Sequence, residues 1–371
     1  MIILFISSLS ANIASGMSWS VPASVEAQSK IDNVLWINLS NAYIEHWSHV
    51  KAYHNYREYG KRLQLKKLPY PFNKPDIVVF EGVYDLKSPI FARELRKNRI
   101  PYIIVPRCAL TYKGQNNNSK WKKRIANFFI FNRFIRKADS IQYLTASEKK
   151  SSSPDWNKHD FILPNGFTTP KRTKTEFISN GIKAIFIGRL DMYQKGLDVL
   201  LEAFNEVHSI LRENNFTLCI YGPKTYQYKE LQKYIDDKKM DDIVSLGGEI
   251  KGITKENVLL SSDLFILTSR FEGHPMALIE ALAYGVPSLV SSGSNMMEEI
   301  MQSDSGWVCE ELNSSNVASK LLDIIKEKDL FKIKSENAKR LSANYDWSVI
   351  SNALHRELKK IINDNVAALD I

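Results

Sequence analysis

"DLFILTSRFEGHPMALIEALAYGVPSLVS", residues 263–291, is the segment that decides the fold. Its apolar run 264–268 predicts a buried strand, and the turn residues FEGHP separate that strand from an apolar helical stretch that ends at Gly285. Pro287 cannot continue the helix, and residues 288–291 predict the next strand. Alternation of strand and helix predicts an α/β fold with a parallel sheet.

The same alternation runs through the whole chain. Short β-branched or aromatic runs recur with helical stretches between them, and most are continuously apolar, which is typical of strands buried on both faces of a parallel sheet. The sequence therefore predicts two Rossmann-like, doubly wound domains in series. The predicted strands are 2–7, 34–38, 76–80, 102–105, 141–145, 161–163, 184–188, 217–221, 243–246, 264–268 and 288–291.

A length of 371 residues suits two domains. The polar stretch 165–181 contains two glycines and one proline and has no sustained period, so it is predicted to link them. This gives an N-terminal domain at 1–168 and a C-terminal domain at 169–346. The last segment, 347–371, is expected to form a helix over 347–364 that packs back on the first domain.

Two helices can be located within this frame. Leu197 begins an apolar series at i, i+3, i+4 and i+7, which predicts one helix face packed on the sheet. Near the start of the chain, Ser20 is predicted to cap a helix that has Pro22 in its first turn.

Composition excludes several classes. The three cysteines, Cys108, Cys219 and Cys309, are scattered and odd in number, which argues against a disulfide framework and a zinc site. The apolar run at the N-terminus is short and has no Lys or Arg before it, so it predicts a buried strand rather than a signal peptide. No apolar run reaches the roughly 18 residues of a membrane span. The expected location is the cytoplasm.

The net charge of +9 hides an asymmetry between the two halves. Residues 1–168 carry 25 Lys and Arg against 12 Asp and Glu, whereas residues 169–371 carry 25 against 29. The basic character belongs to the N-terminal domain. That domain is expected to meet an anionic partner, which is a phosphate-bearing substrate, a nucleic acid or an acidic bilayer surface.

Two glutamates flank the helix start in the opening segment. Because Pro275 suits a first turn, the N–H groups of residues 276–278 are expected to be free and to form an anion site at the carboxyl end of a strand. Glu272 is placed to accept hydrogen bonds from hydroxyl groups, and Glu280, about 12 Å along the axis, to hold a ribose diol. The alternative is that Glu272 only complements the helix dipole and that Glu280 is a surface residue.

Two cations follow another predicted strand. In "AIFIGRLDMYQKGLDVL", residues 184–200, the strand runs into Gly188, Arg189 follows it, and Lys195 is expected to begin the next helix. An arginine fork and a mobile lysine charge together suit a diphosphate. The alternative is two solvated charges in a loop.

Together these segments resemble the signature of glycosyltransferase family 4, whose members are retaining enzymes of the GT-B fold, with two Rossmann-like domains facing across a cleft. The resemblance extends in order and with family-like spacing from residue 163 to residue 308. The matching parts are "LPNGF" (163–167), "IGRLDMYQKGLDVLLEAF" (187–204), "CIYGP" (219–223), "VSLGGEI" (244–250), "SRFEGHPMALIEALAYGVPSLVS" (269–291) and "SGWV" (305–308).

The resemblance implies an activity and a set of site residues. The activity is transfer of a hexosyl or N-acetylhexosaminyl group from a nucleotide sugar, with a UDP-sugar favoured, to a saccharide acceptor. Arg189 and Lys195 would contact and stabilise the leaving diphosphate, Glu272 would bind the donor sugar, and Glu280 the ribose. The further donor-binding positions that it implies are Gly16, Gly248, Ile250, Gly273, His274, Met276, Ala277 and Leu278.

No cofactor and no metal are expected. The D-x-D motif of metal-dependent transferases is absent from the sequence. Glu45 with His46, His49 and His54 offers donor atoms, but these residues lack the spacing of a zinc site.

One stretch departs from the family pattern. Where close family members have Pro-His-Gly after a strand, this chain has Pro106, Arg107 and Cys108. The histidine of the pattern usually faces the donor sugar, so sugar specificity and catalytic competence both stay open here. Arg107 is either a compensating cation near the phosphates or an ordinary surface arginine.

A basic aromatic segment lies in the N-terminal domain. "SKWKKRIANFFIFNRFIRK", residues 119–137, has seven Lys or Arg and no acid. Interfacial insertion into an anionic membrane is one interpretation, with Arg107, Trp121, Lys122, Lys123 and Arg124 on the acceptor or membrane side. The other is a domain helix with its aromatic side chains in the core. The first interpretation predicts a peripheral protein at the inner face of a bacterial plasma membrane, with a polyprenyl-diphosphate-linked acceptor in O-antigen, capsule or exopolysaccharide assembly.

Competing functions fit less of the sequence. A nucleic-acid-binding protein would leave the acidic C-terminal half unexplained, and no recognition motif is present. A Rossmann oxidoreductase lacks its G-x-G-x-x-G motif. Another GT-B enzyme, such as a nucleotide-sugar 2-epimerase, and a non-catalytic transferase-like subunit are the nearest alternatives.

Overall fold

The computed structural model describes residues 1–11, 16–42, 45–116, 120–177 and 181–367, without the side chain of His46. The chain divides into two compact units. One consists of Met1–Gly166 together with Trp347–Ile371, and the other is Phe167–Asp346. The division therefore falls after Gly166, two residues before the expected boundary, and again after Asp346.

The first unit is built on a parallel sheet whose described strands run in the order β3-β2-β1-β4-β5-β6-β7. The chain moves outward from β1 on one side and returns to place β4 on the other side, so the topology reverses between β1 and β4. The strands are β1 Ile2–Ser7, β2 Asn33–Asn38, β3 Tyr53–Asn55, β4 Ile77–Glu81, β5 Tyr102–Val105, β6 Ser140–Tyr143 and β7 Asp160–Ile162.

Helices cover both faces of this sheet. The apolar side chains of β1 alternate between two buried clusters, with Leu4 and Ile6 in one and Ile3 and Phe5 in the other. This confirms the prediction of strands buried on both faces. The helices are α1 Met17–Gln28, α2 Lys87–Lys97, α3 Tyr112–Gln115, α4 Lys120–Ala126, a π-helix at Asn127–Phe131, α5 Asn132–Arg136, α6 Ala146–Lys150 and the C-terminal helix Trp347–Ala367, with 3-10 turns at Glu45–Trp47, Tyr56–Tyr59, Leu65–Lys67 and Pro154–Trp156.

The C-terminal helix is an integral part of the first unit. It contributes Ile350, Leu354 and Leu358 to the cluster that contains Ile3 and Phe5. Nδ1 of His355 on this helix lies 3.0 Å from a carboxylate oxygen of Asp32, in the turn before β2. The helix therefore completes one face of the first sheet.

The prediction for the first helix is wrong in its start. Helix α1 begins at Met17, and the carbonyl of Gly16 already accepts from the N–H of Ser20 at 3.0 Å, so Ser20 is inside the helix and does not cap it. Pro22 is therefore interior and cannot donate to the carbonyl of Ser18. Nε1–H of Trp47 donates to that carbonyl at 2.9 Å and satisfies it.

The second unit has its own parallel sheet, with described strands in the order β10-β9-β8-β11-β12-β13. Its topology reverses between β8 and β11. Leu197 and the apolar series that follows it are fully buried on α7, as the spacing predicts. The elements are β8 Ile182–Ile187, α7 Leu197–Glu206, α8 His208–Glu213, β9 Phe216–Tyr221, α9 Tyr226–Asp237, β10 Val244–Gly248, α10 Gly252–Ser261, β11 Leu264–Leu267, α11 Met276–Ala283, β12 Ser288–Ser291, α12 Met297–Ser303, β13 Gly306–Cys309, α13 Ser314–Lys326 and α14 Phe331–Ala343, with 3-10 turns at Ser292–Ser294 and Lys328–Leu330.

Every predicted strand is present, with ends that differ by at most two residues. Two observed strands, β3 and β13, were not predicted, and both are short strands at a sheet edge. Within the described ranges, no helix is both long enough and apolar enough to cross a membrane.

Candidate active site

Three of the predicted donor residues of the second unit, Arg189, Lys195 and Glu272, lie on segments that meet at the reversal point of its sheet. Strands β8 and β11 are parallel neighbours, with Ala184 opposite Leu264. The segments that leave their carboxyl ends, 188–196 and 268–275, therefore start side by side. In open α/β sheets this edge, at the point where the strand order reverses, is where ligands bind.

Lys195 and Glu272 meet at this edge. Nζ of Lys195 lies 2.5 Å from Oε1 of Glu272, and Oγ–H of Ser269 donates to the same oxygen at 2.5 Å. The side chains of the ion pair are 13% and 8% exposed. Lys195 precedes helix α7, which starts at Leu197, rather than beginning it as expected. Two side chains 77 positions apart in sequence thus share one polar centre.

Arg189 reaches the same region through a glutamine. Its guanidinium is exposed and donates to Oε1 of Gln194 at 2.8 Å. Nε2–H of Gln194 donates in turn to the carbonyl of Phe271 at 3.4 Å. Arg189 therefore lies on the loop that carries Lys195, beside the turn that carries Glu272, and it presents an accessible charge.

Arg270 joins the two loops, a role that the sequence analysis missed. Its guanidinium forms a bidentate pair with Asp198 at 2.7 and 2.8 Å and donates to the carbonyl of Tyr193 at 2.8 Å. It also lies 4.5 Å from the centroid of the Tyr193 ring, and its backbone N–H donates to the carbonyl of Gln194. Hydrogen bonding to Asp198 raises the pKa of Arg270 above its ordinary value. The sequence did offer one signal for this pair: Arg270 and Asp198 carry opposite charges and lie in two of the segments that resemble family 4.

A glycine allows this close approach. Gly196 has φ +61°, and a Cβ at this position would lie 2.0 Å from the carbonyl oxygen of Thr268. The hydroxyl of Thr268 donates to the carbonyl of Gly196 at 3.2 Å. Only a residue without a side chain fits against β11 here.

The predicted anion site at the start of helix α11 has two N–H groups rather than three. Pro275 is the N-cap, and the N–H of Leu278 donates to its carbonyl at 3.0 Å, so the expectation that Leu278 has a free N–H is wrong. The N–H groups of Met276 and Ala277 are the first two of the helix and have no acceptor within it. Their position beside Glu272 still suits a phosphate.

Hydrogen bonds from a side chain outside the turn hold the backbone of the turn before α11. Nδ2–H of Asn295 donates to the carbonyl of Gly273 at 3.3 Å and also to the carbonyl of Glu272. His274 is buried, with its ring centroid 5.3 Å from that of Tyr345. The backbone of the predicted donor-binding turn is therefore held in one conformation.

Glu280 lies further along α11 and is paired with a lysine. Nζ of Lys255, on α10, contacts Oε2 of Glu280 in an ion pair whose side chains are 24% and 23% exposed. Gly248, at φ +73°, ends β10, and Ile250 leads from it into α10. The interpretation of Glu280 as a simple surface residue is wrong, because it is half-buried and paired.

The first unit holds Gly16 and Arg107. Gly16 is the N-cap of α1. Nε of Arg107 lies 2.8 Å from Oε2 of Glu81, and Nη1 donates to Ser20 at 3.0 Å and Asn165 at 3.1 Å. The side chains of Arg107 and Glu81 are 8% and 4% exposed, so the interpretation of Arg107 as an ordinary surface arginine is wrong.

The basic aromatic segment exposes its apolar side chains. Trp121 is 72% exposed, and Phe128 and Phe129 are 75% and 73% exposed, so the interpretation that places the aromatic side chains of this segment in the core is wrong for these three. Lys122 and Arg124 are exposed beside them, while Lys123 donates to the carbonyl of Gly114, and burial lowers the pKa of Lys123. The core is reached only further along, by Phe131, Phe134 and Ile135.

The histidines near residue 50 have carboxylate partners of their own. Nε2 of His49 lies 3.5 Å from Glu26, and Nδ1 of His54 lies 2.7 Å from Glu58. The side chain of His46 lies outside the described part. In the residues that the structure does describe, no group of three or more His, Cys, Asp or Glu is arranged to hold a metal ion.

Each of the two units has a parallel sheet whose strand order reverses, and the chain has the GT-B fold. The structure of Anabaena HepE in complex with UDP is similar to 97% of this chain and 100% of its own, with a TM-score of 0.76 and 16% identity. WaaG, a glycosyltransferase involved in lipopolysaccharide biosynthesis, is similar over 95% of this chain and 98% of its own, with a TM-score of 0.65 and 14% identity.

The sequence of the second unit also matches a family model. Residues 168–341 match the family model described as "Glycosyl transferases group 1". An uncharacterized glycosyltransferase of Haemophilus influenzae is 23% identical over 76% of this chain and 80% of its own length.

Other relatives match over a shorter span. The uncharacterized glycosyltransferase MJ1178 of Methanocaldococcus jannaschii is 25% identical over 44% of each chain. The amylovoran biosynthesis glycosyltransferase AmsD of Erwinia amylovora is 28% identical over 45% of each chain. The match to this chain therefore covers less than half of the length of each of these two relatives.

Proposed function

We propose that this protein is a retaining glycosyltransferase of family 4 that moves a hexosyl or N-acetylhexosaminyl group from a nucleotide sugar to a saccharide acceptor. The observation that carries the proposal is the part-buried pair of Lys195 and Glu272 beside the start of α11. A phosphate-binding cation and a hydroxyl-binding carboxylate stand together there, at the edge of the sheet where ligands bind.

The chemistry that this geometry supports is stabilisation of a leaving diphosphate. As the bond between the sugar and the diphosphate breaks, negative charge develops on the diphosphate oxygens. Lys195, Arg189 and the N–H groups of Met276 and Ala277 are fixed donors for that charge. An ammonium group has three N–H donors, so Lys195 can keep its contact with Glu272 while it binds a phosphate oxygen. Glu272 accepts hydrogen bonds from the hydroxyl groups of the donor sugar.

The proposed donor is a UDP-sugar. The similarity to HepE, solved in complex with UDP and in complex with UDP-glucose, supports this choice. The cations and helix N–H groups named above provide the charge stabilisation that a metal ion supplies in other transferases, so the transfer is proposed to need no metal.

Nucleotide release from UDP-, GDP- and dTDP-sugars tests the function, with EDTA present. We expect Lys195→Met and Glu272→Gln each to lower kcat/KM by at least a hundredfold, because each removes a fixed charge at the reacting bond. Lys251→Met is the matched control, since Lys251 pairs with Glu249 at the surface of the same unit and is 52% exposed. Wild-type rates in both site variants would refute the site. Tight UDP binding without turnover would instead identify a non-catalytic subunit, and interconversion of free nucleotide sugars an epimerase.

The acceptor is proposed to be a saccharide that binds the first unit. A cavity of about 90 Å³ opens at the reversal point of that sheet, between β1 and β4. Ser8, Glu81, Asp85 and Ser88 line it, and they offer the hydroxyl and carboxylate groups that bind sugar hydroxyls. We expect Asp85→Asn to raise the KM for the acceptor severalfold while donor hydrolysis without acceptor stays unchanged. An unchanged acceptor KM would argue against this cavity.

A lipid-linked acceptor in surface-polysaccharide assembly, on the inner face of the plasma membrane, completes the proposal. Trp121, Phe128 and Phe129 are exposed among Lys and Arg side chains, which suits insertion at an anionic interface, where each cation contributes about 1 kcal/mol. The relative AmsD, named for amylovoran biosynthesis, supports the polysaccharide role.

Flotation with liposomes that contain anionic lipid tests the membrane part. The wild type should float at low salt, and replacing Trp121, Phe128 and Phe129 by Ser should leave the protein in the soluble fraction. Ile333→Ser is a control, because Ile333 is an apolar side chain that is 56% exposed elsewhere on the protein. A wild type that does not float at low salt would refute membrane contact and leave the transferase assignment untouched.

A further inference from the structure

Lys255 has no role in the site described so far, and none of the motifs that resemble family 4 contains it. It lies on α10, four residues after Lys251, the N-cap of that helix. Its ammonium group is paired with Oε2 of Glu280, the fifth residue of α11. The pair therefore ties the helix that follows β10 to the helix whose mouth carries the phosphate site.

The other oxygen of Glu280 is available to a ligand. In the described ranges, no protein group donates a hydrogen bond to Oε1 of Glu280. The carboxylate is 23% exposed, and the aliphatic stem and ammonium group of Lys255 are 24% exposed, so neither is sealed from solvent. A carboxylate with one oxygen held by an ammonium group keeps its second oxygen in a fixed direction.

Charge also favours this arrangement. A lone carboxylate on α11 would repel a nucleoside diphosphate bound at the mouth of the same helix, because like charges interact unfavourably over several ångströms. The positive charge of the Lys255 ammonium group compensates the negative charge of the Glu280 carboxylate. The carboxylate can then accept hydrogen bonds from a ligand without adding a net negative charge to the site.

We propose that Lys255 is a positioning residue for the ribose of the donor. It holds Glu280 so that Oε1 accepts hydrogen bonds from the ribose hydroxyls, and it offsets the carboxylate charge beside the diphosphate. This inference rests on the proposed function, since it takes a nucleoside diphosphate as the ligand of the second unit. It adds that discrimination between ribose and deoxyribose depends on a residue outside the matching motifs.

The test compares UDP with 2′,3′-dideoxy-UDP by isothermal titration calorimetry. The two ligands share base and diphosphate and differ only in the hydroxyls that Glu280 is proposed to bind. Wild-type protein should prefer UDP by at least tenfold, as expected when a charged acceptor loses its hydrogen-bond donors. In Lys255→Met this preference should fall to about twofold, because UDP loses both the ribose contacts and the charge compensation, whereas the dideoxy nucleotide loses only the charge compensation.

Two further variants separate positioning from simple stability. Lys255→Arg keeps the charge and should retain most of the preference, whereas Glu280→Gln should lose it as Lys255→Met does. Lys251→Met removes an exposed lysine near the start of the same helix and should leave the preference at the wild-type value. A merely structural role for Lys255 would weaken both nucleotides equally and leave their ratio intact.

The failures of the two proposals are distinguishable. Wild-type protein that binds UDP and dideoxy-UDP equally, or a Lys255→Met variant that keeps the wild-type ratio, overturns the role of Lys255 while the transferase assignment stands. Wild-type protein that binds no UDP refutes the proposed uridine donor, and the role of Lys255 in UDP binding fails with it.

Discussion

Replacement of Gly196 by Ala should lower transfer by about a hundredfold. The left-handed backbone, φ +61°, costs Ala about 1–2 kcal/mol. The new Cβ would also lie 2.0 Å from the carbonyl oxygen of Thr268, where real Cβ contacts stay beyond 3.0 Å. The two loops must therefore separate by about 1 Å, and a displacement of that size near a reacting centre costs about a hundredfold in rate.

Gly252→Ala is the matched control. Gly252 also has a positive φ, +52°, and also lies at the start of a helix, but a Cβ there meets no atom within 4 Å. Both variants share the backbone strain, and only Gly196→Ala has the clash. Nucleotide release should therefore fall about a hundredfold in Gly196→Ala and less than threefold in Gly252→Ala. Equal rates in the two variants would refute the argument that contact between the loops sets the position of Lys195.

Three further predictions concern charged side chains. Arg270→Met should weaken UDP binding at least tenfold, because it removes the bidentate pair with Asp198 that joins the loops of Lys195 and Glu272; titration calorimetry measures this. Lys174→Met should destabilise the second unit by about 3–5 kcal/mol, because Asp263, 3.0 Å from the Lys174 ammonium and 4% exposed, loses its counter-charge; hydrogen exchange of its core amides measures this. Burial raises the pKa of Glu148, so its contribution to stability is present at low pH and is lost as pH rises through the raised value. Glu148→Gln should therefore remove part of the loss of stability above about pH 4.5 in urea unfolding.

Each of these predictions has a control. Arg270→Lys keeps the charge but loses the fork, so its affinity for UDP should be intermediate, and wild-type affinity in Arg270→Met would contradict the joining role. Asp263→Leu in the Lys174→Met background removes the unpaired charge and should restore most of the stability. A Glu148→Gln variant whose stability follows the wild-type pH profile would show that this carboxyl does not titrate differently on folding.

The sequence predicts the sheets because continuous apolar runs of this length fit the buried strands of a parallel sheet. It misses β3 and β13 because each is a short strand at a sheet edge, where the apolar signal is weak. The candidate donor motifs can also be found in the sequence, since Arg189, Lys195 and Glu272 follow the ends of predicted strands.

Contacts between distant residues are the part that the sequence does not predict. Neither the pair of Lys195 and Glu272 nor that of Lys255 and Glu280 follows from spacing, because each depends on which strands are neighbours in the sheet. The sequence did not predict whether the side chain of Phe128 faces the core or the solvent, for another reason. The π-helix Asn127–Phe131 shifts the phase of the side chains, so a period of 3.6 residues no longer tells which ones face the core.

The return of the C-terminal helix to the first unit has a consequence for biosynthesis. The second unit is one uninterrupted segment, inserted between the two parts of the first. On a ribosome, where chains grow from the N-terminus, the second unit can fold as soon as residues 167–346 have emerged. The first unit begins earlier, but one face of its sheet stays only partly covered until Ile350, Leu354 and Leu358 join Val21 and Val25 of α1 in its cluster. The part of the chain that is made first is therefore the last to be complete.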